Sequence, residues 1–557
     1  MPTGLLGIAS TAIMANQRQL ATTGHNIANV NTPGYHRQTV DLTEMDPSFE
    51  GGQFMGNGVR IATIARSYDN YLDTQVRTSL SASKDADTYF QLAQQIDNVT
   101  ADPATSLASS LQDFFDAAQA VANDPTSTAA RQLLLSNGSN LAQRFATLNT
   151  RMDQLREQVD QSLTPTVEEI NGYTQGIAKL NESIVAAYSQ ASGNPPNDLI
   201  DQRDLLVEKL SGKMDVQVVK DSTGAINVYA GNGPALVLNN QAVRLGVQAS
   251  AYDPFDKDIV IENGEHPIGI TQSVQGGELG GSHRFTKDVL DPAQNELGRL
   301  AAGISVLIND QQRTGSDSNG NPGVNLFSDL TDPSANRFTS FGKNTNTGDA
   351  VLTVAFDNAP GNGPAELAAS DYHMDYDGST YTLTRLGDNT RFTAATPEFA
   401  VDGLRIGVES GDIQAGDSFL LRPERGAAGR LSVDLTDPAL VAAGGIPPGG
   451  PGDNTNARAL ADLQHANSLL GGKASFGKMY THLVGDIGTK TQAADIQSTA
   501  QKLLLEQATS EREAVSGVNL DEEAANLVNF QQAYQASAQL ISTANETFNS
   551  LLGAMRG

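Results

Sequence analysis

The stretch that decides the fold is LDEEAANLVNFQQAYQASAQLISTANETF, residues 520–548. Its apolar side chains recur at heptad spacing as Leu520, Leu527, Tyr534, Ile541 and Phe548 and reach Met555, with Phe530, Ser537, Ala544 and Leu551 interleaved. That repeat keeps one seam of a helix against a partner helix. From Ala524 to Asn545 there is no ionised side chain. A helix facing water normally carries charge on its outer face; this one offers Asn, Gln, Ser, Thr and Ala. Burying an unpaired charge costs about 2 kcal/mol or more, so a surface uncharged all round predicts burial among subunits.

The other end of the chain reads the same way. Leu6, Ile13, Leu20 and Ile27 share a heptad seam, and between Met1 and Val40 only Arg18 and Arg37 are ionised at neutral pH. Two charge-poor helices at opposite ends predict a coiled-coil assembly domain built from residues 1–40 and 516–557.

Inward from both ends the helices carry charge. Phe145, Leu148, Met152, Leu155 and Val159, then Ile170, Tyr173, Ile177, Leu180 and Ile184 after Pro165, form heptads with Arg151, Glu157, Asp160 and Glu168 off the seam. This predicts an exposed coiled coil or a long-helix bundle. A shorter helix around Leu111, Phe114, Phe115 and Ala118 should stop before Asp124-Pro125. Phe476, Tyr480, Leu483 and Ile487 begin a helical return through Leu503 and Leu504.

Strand signals interrupt the helices. Val216 and Val218 face Ile226 and Val228 across Ser222-Thr223-Gly224 as a hairpin. Leu352, Val354 and Phe356 alternate with polar residues, and Tyr372, Met374 and Tyr376 turn at Asp377-Gly378 into Tyr381 and Leu383, continuing through Phe392 and Phe419. Glycine accepts the positive φ such turns need. The Gly- and Pro-rich run 443–452 has little to bury and reads as a linker. The expected fold is multidomain α+β: paired terminal helices, a helical-bundle second layer of residues 41–330 and 455–515 with β hairpins inserted at about 214–285, and an outer antiparallel β domain over 331–454.

Composition narrows function by exclusion. With 557 residues the chain holds several cores. A net charge of -28 argues against nucleic-acid and anionic-membrane partners. The start of the chain has neither the basic flank nor the apolar run of a secretory signal or membrane anchor. There is no Cys, so disulfides and thiolate metal sites are absent.

Site chemistry does not converge. Asp317-Ser318-Asn319-Gly320-Asn321 spaces oxygens like a calcium loop, but Pro322 and Ser328 stand where Gly and Glu are needed, so it reads as a polar turn. Gly231-Asn232-Gly233-Pro234 lacks the lysine of a phosphate loop. Ser282-His283 lacks a nucleophile elbow and a third partner. Asp201-Gln202-Arg203-Asp204 reads as the start of a helix carrying Leu205, Leu206 and Leu210, with Arg203 free to pair across a subunit boundary. No catalytic residue, cofactor or metal is expected.

Thr22-Thr23-Gly24-His25-Asn26-Ile27-Ala28-Asn29-Val30-Asn31-Thr32-Pro33-Gly34-Tyr35 resembles the N-terminal signature of flagellar rod, hook and junction proteins. Ser516-Gly517-Val518-Asn519-Leu520 through Tyr534 resembles their C-terminal end. Asp521 should cap the last helix, with Glu522 and Glu523 at its positive end, and Pro33-Gly34 should stop the first. Leu111–Phe115, Ala130-Arg131-Gln132, the run Leu199–Val207 and Phe285–Leu300 are similar to the hook-filament junction branch of that family. One departure is His36, where a small hydroxyl residue is expected.

The resemblance implies a structural, non-enzymatic subunit required for filament attachment and motility. It implies export through the flagellar type III channel from the cytoplasm to the extracellular hook-filament junction. The partners it implies are further copies of this chain in a ring, the hook protein, the second junction protein (hook-associated protein 3) and a cytoplasmic export chaperone on the C-terminal helix. Leu6, Ile13, Leu20, Ile27, Asn29, Thr32, Pro33, Gly34, Tyr35, Leu520, Leu527, Phe530, Tyr534, Ile541, Phe548 and Met555 are the expected assembly residues. A hook or distal-rod protein shares the terminal motifs and is the alternative; the heptads from Phe145 to Ile184 favour the junction branch. An enzyme would need convergent titratable groups.

Overall fold

The computed structural model describes residues 3–50, 52–101, 106–191, 194–262, 264, 267–332, 339–359, 362–446, 448–450 and 452–556. Met1, Pro2, and Pro447 and Pro451 of the expected linker lie outside them, as does the Leu551 side chain. The chain is a multidomain α+β protein in which long helices carry several antiparallel sheets.

The N-terminal helix, Thr3–Ala28, leads through turns into two paired strands, Gln38–Glu44 and Val59–Arg66. A smaller hairpin, Ser48–Glu50 with Gln53–Met55, extends from their far end. Helices Asn70–Ala101, Leu107–Asn123, Thr128–Gln190 and Asn197–Lys213 follow. Ser106 and Ser127 accept from Ala108 N–H and Ala130 N–H, so two of these helices begin on hydroxyl caps. The second ends at Asn123, just before Asp124-Pro125.

Thr128–Gln190 is a single helix of 63 residues that runs through Pro165. Its first half packs Phe145, Leu148, Met152, Leu155 and Val159 into a helical core with Phe114, Phe115, Leu297 and Phe476. Its second half packs Leu163, Val167, Ile170 and Ile177 against the sheets of 216–270. The second run of heptads is therefore covered on one side by helix Asn197–Lys213, through Leu206, Val207 and Leu210, and on the other by β structure. Asn171 binds both backbone groups of Leu245 at 2.8 Å, and Asn181 does the same to Ile226 at 2.8 and 3.1 Å. The helix thus supplies hydrogen bonds that a neighbouring strand would otherwise make.

The expected hairpins form, pairing Val218 with Val228 and Met374 with Leu383. The outer sheet has five strands in the order Ser340–Gly342, Ser418–Leu421, Tyr372–Tyr376, Tyr381–Arg385 and Thr390–Ala394. It shares a core with the three-stranded sheet of Val351–Phe356, Leu404–Ser410 and Phe399–Val401.

The return helix, Phe476–Ser516, runs antiparallel to Asn70–Ala101: Tyr480 Oη donates to Thr100 O at 3.0 Å and Lys502 Nζ to Asp87 at 2.7 Å. Its core face is Met479, Tyr480, Leu483, Ile487 and Ala494, while Leu503 and Leu504 point to solvent.

Three local expectations are corrected. Asp201-Gln202-Arg203-Asp204 lies inside Asn197–Lys213 and does not start it. Arg203 is buried, donating to Gly224 O at 2.8 Å, so it does not face a subunit boundary. The run 443–452 is not a free linker: Ala443 is buried, and Ser316 and Gly444 exchange backbone hydrogen bonds of 2.9 and 3.1 Å.

Candidate subunit interface

The C-terminal helix, Leu520–Arg556, packs antiparallel to Thr3–Ala28. Asn16 Nδ2 donates to Ser537 Oγ at 3.3 Å in mid-helix, and Arg37 meets Glu523 beyond the end of the first helix. Leu6, Ile13, Leu20 and Ile27 are half-buried, as are Leu527, Phe530, Tyr534 and Ile541. Apart from Asn26 and Glu523 at the base of the pair, the deepest positions are small: Ala9, Ala15, Thr22 and Thr23 on one helix, Ser537 and Ala544 on the other. Ala9, Asn16 and Thr23 form their own heptad line three residues on from the Leu/Ile seam. Close approach of two backbones favours such residues, which the hydrophobic pattern underweights.

Leu520, Phe548 and Met555 are 51%, 42% and 84% exposed, so the structure does not gather them into the seam. With Leu5, Met14, Val528, Leu540 and Leu552 they leave apolar surface on the helix pair.

At the base of the pair the two sequence signatures meet. The first helix ends at Ala28, ahead of Pro33-Gly34, and Asn29 Nδ2 turns back to His25 O at 3.0 Å. Thr32 Oγ1 donates to Asn29 Oδ1 at 3.1 Å, and Pro33 is exposed. Gly34 has φ +77°, and a Cβ there would lie 2.9 Å from Leu205 Cβ, so glycine is required.

Tyr35 Oη donates to Asn26 Oδ1 at 2.7 Å; the same oxygen accepts Gln38 N–H at 3.0 Å while Asn26 Nδ2 donates to Gln38 O at 2.9 Å. Asn26 thereby docks the helix end onto the first strand. Burial, with Asp198, Asp201 and Glu523 nearby, pushes the Tyr35 phenol up, which keeps it a neutral donor.

Next to it, His36 Nδ1 and Asp201 Oδ1 are 2.8 Å apart, and His36 N–H donates to Asp201 Oδ2 at 3.2 Å. Arg66 Nη1 reaches Asp201 at 2.5 Å and Asp204 at 3.1 Å. Burial alone pulls the Arg66 guanidinium down, but Asp204 and Asp201 outweigh it and hold it above its ordinary value. Tyr68, close by, is pushed up to about 12 by burial and then by Asp73 and Asp204.

Arg37 closes the site. Its N–H donates to Ser516 O at 2.9 Å, its Nε to Glu523 at 2.7 Å and its Nη1 to Glu522 at 2.9 Å. The last helix is capped by Asn519, whose Oδ1 accepts Asp521 N–H at 3.0 Å; Asp521 sits in the first turn and is not the cap. An open cleft of about 540 Å³ remains between residues 30–37 and 512–519.

Asn26, His36, Arg37, Gln38, Asp201 and Glu523 were not among the expected assembly residues. Two signals pointed towards them: Arg37 is one of two cations in an otherwise uncharged N-terminus, and His36 departs from the motif. Asp317 accepts the Asn319 and Asn321 N–H groups at 2.8 Å, the geometry of a polar turn. Among the described residues no group of three or more His, Asp or Glu is placed to hold a metal, and no helix is long and apolar enough to cross a membrane.

Residues 93–327 match the flagellar hook-associated protein FlgK helical domain, and 340–423 the D2-like domain of flagellar hook-associated protein 1. Residues 6–36 match the flagella basal body rod protein, and 511–554 the C-terminal region of flagellar basal body rod FlgEFG proteins. The chain is 34% identical to flagellar hook-associated protein 1 of Salmonella typhimurium over 98% of this chain and 99% of that protein. It is 28% identical to the protein of that name from Bacillus subtilis over 99% of this chain and 98% of the relative. The solved flagellar hook junction protein FlgK from Burkholderia pseudomallei superposes with a TM-score of 0.72 at 27% identity, covering 79% of this chain and all of that one (100%).

Proposed function

Because the chain belongs to the flagellar hook-associated protein 1 family, whose members are structural and not enzymatic, we propose that it forms the junction between hook and filament and self-assembles through its paired terminal helices. The observation that carries this reading is the convergence of both terminal signatures on Arg37, which ties the N-terminal loop to the start of the C-terminal helix. The apolar surface left on the uncharged helix pair supports burial in a polymer.

In this reading the subunit leaves the cytoplasm through the flagellar type III channel with a chaperone on its C-terminal helix. It then sits outside the cell between the hook protein and the second junction protein. Residues 1–40 and 516–557 form the inner assembly domain, 41–330 and 455–515 the helical layer and 331–454 the outer β domain.

Deleting the chain should leave cells with hooks and no filaments by electron microscopy; filaments on the hooks of such cells would falsify the reading. Truncation before Asp521 should give a folded, exported protein that does not restore filaments, and restored filaments would count against assembly through the helix.

A further inference from the structure

The hairpin Ser48–Met55 carries Phe49, Phe54 and Met55 at 64%, 74% and 53% exposure. The two rings pair with each other, centroids 5.0 Å apart, and among the described aromatic contacts they meet no other ring. We propose that this hairpin is a contact between subunits, its Phe49–Phe54 tip seating on the terminal helix pair of a second copy of this chain. The proposal rests on the reading that the terminal helices drive self-assembly, and it adds a different surface to that assembly.

The hairpin is held in one direction. Met45 N–H donates to Gly58 O at 3.0 Å, Asn57 Nδ2 to Asp46 O at 2.6 Å and Ser48 Oγ to Asn57 Oδ1 at 3.0 Å. Gly58, at φ +95°, lies so close to the N-terminal helix that a Cβ would fall 2.4 Å from Thr11 Oγ1 and 3.2 Å from Ile8 Cα. The tip thus projects from a root fixed on the helix pair itself, and it stays in solvent within its own chain.

Charge selects what covers it. The root displays Asp41, Glu44 and Asp46, all exposed, against one exposed cation, Arg60, and so is net acidic on a chain of net charge -28. Most of the surface of another copy repels such a root. The terminal helices do not: residues 524–545 carry no charge, and among the first 36 only Arg18 is ionised. Arg18 is exposed and makes no ion pair among those described, and Met14, four residues earlier and on the same face, is 54% exposed. An apolar tip with an acidic root complements Met14 with Arg18. Tip and helix face are different surfaces, so the contact is head-to-tail and propagates around an axis instead of closing as a dimer.

The chain has no Cys, so introduced cysteines report cleanly. Phe54→Cys and Met14→Cys chains, produced together in flagellated cells, should give disulfide-linked dimers in isolated, oxidised flagella, and neither variant alone should do so. Arg18→Glu should cut the yield about tenfold and Asp46→Lys in the partner chain should restore it. Dimers from Phe54→Cys alone, linkage to a different flagellar protein, or no disulfide dimers would each overturn the hairpin contact. A lysine-directed cross-linker on the unsubstituted chain separates the two ideas. Multimers there without disulfide dimers sink the hairpin alone; no multimers sinks self-assembly.

Discussion

Arg37 Nε donates to Glu523 Oε1 at 2.7 Å, joining residues 486 positions apart. The Glu523 side chain is 2% exposed and that of Arg37 22%, so the pair is largely shielded from salt. Arg37→Ala leaves a buried carboxylate without its cation and should cost about 3 kcal/mol. The loss should appear as faster amide exchange in the first turns of the C-terminal helix, with partial recovery in Arg37→Lys, which keeps the charge but loses the two-point grip. Unchanged exchange in Arg37→Ala would remove the clamp from the account.

The helix pair closes on small residues, so enlarging one should separate it. Ala9 is 1% exposed, and Ala9→Leu should cost about 1–3 kcal/mol by overpacking. Leu6→Ala, at a half-buried site, should cost less. Amide exchange at Leu20 and Ile541 orders the two variants, and a larger effect of Leu6→Ala would mean that the apolar seam dominates.

What was legible in the sequence divides along physical lines. The hairpins at Val216–Ala230 and Tyr372–Arg385 are local, with alternation and a turn in one window, and both form. The pairing of Ser340–Gly342 with Ser418–Leu421 joins distant segments, and no short window contains it. At the termini the heptad pattern finds Leu20, Leu527 and Tyr534, but it also selects Met555, which faces solvent, and passes over Ala9 and Thr23, which do not. The helical return through Leu503 and Leu504 forms as expected, but both side chains face solvent, because which face of the helix Asn70–Ala101 covers is set by tertiary packing. The polar network around Asp201 depends on residues brought together from three separate stretches of chain.

His36 shows how a departure from a motif is accommodated. A small hydroxyl in its place would keep the backbone N–H donated to Asp201 Oδ2 at 3.2 Å and lose the 2.8 Å ring contact. Arg66 would still satisfy the carboxylate. His36→Ser should therefore cost about 1 kcal/mol, whereas Asp201→Ala removes the acceptor from both His36 and the buried Arg66 and should cost about 3 kcal/mol. Denaturant midpoints of the two variants test the order; equal costs would mean that the imidazole, not the carboxylate, organises the site.

Glu424 sets a pH dependence in the opposite sense to an ordinary salt-bridged carboxylate. Its side chain is fully buried, and neither oxygen has a hydrogen-bond partner in another residue. Burial first, then Asp371, pushes its carboxyl well above the ordinary glutamate value of 4.5, against the pull of Arg299. A raised folded pKa means that the folded state holds its proton after the unfolded chain has released it. The contribution to stability is therefore full below about 4.5 and is lost as pH rises from there through the raised value. Glu424→Gln removes that titration, so thermal melts at pH 5 and pH 8 should differ less in the variant than in the parent chain. Its stabilisation should be larger at pH 8. A variant equally displaced at both pH values would show that Glu424 does not change its ionisation on unfolding.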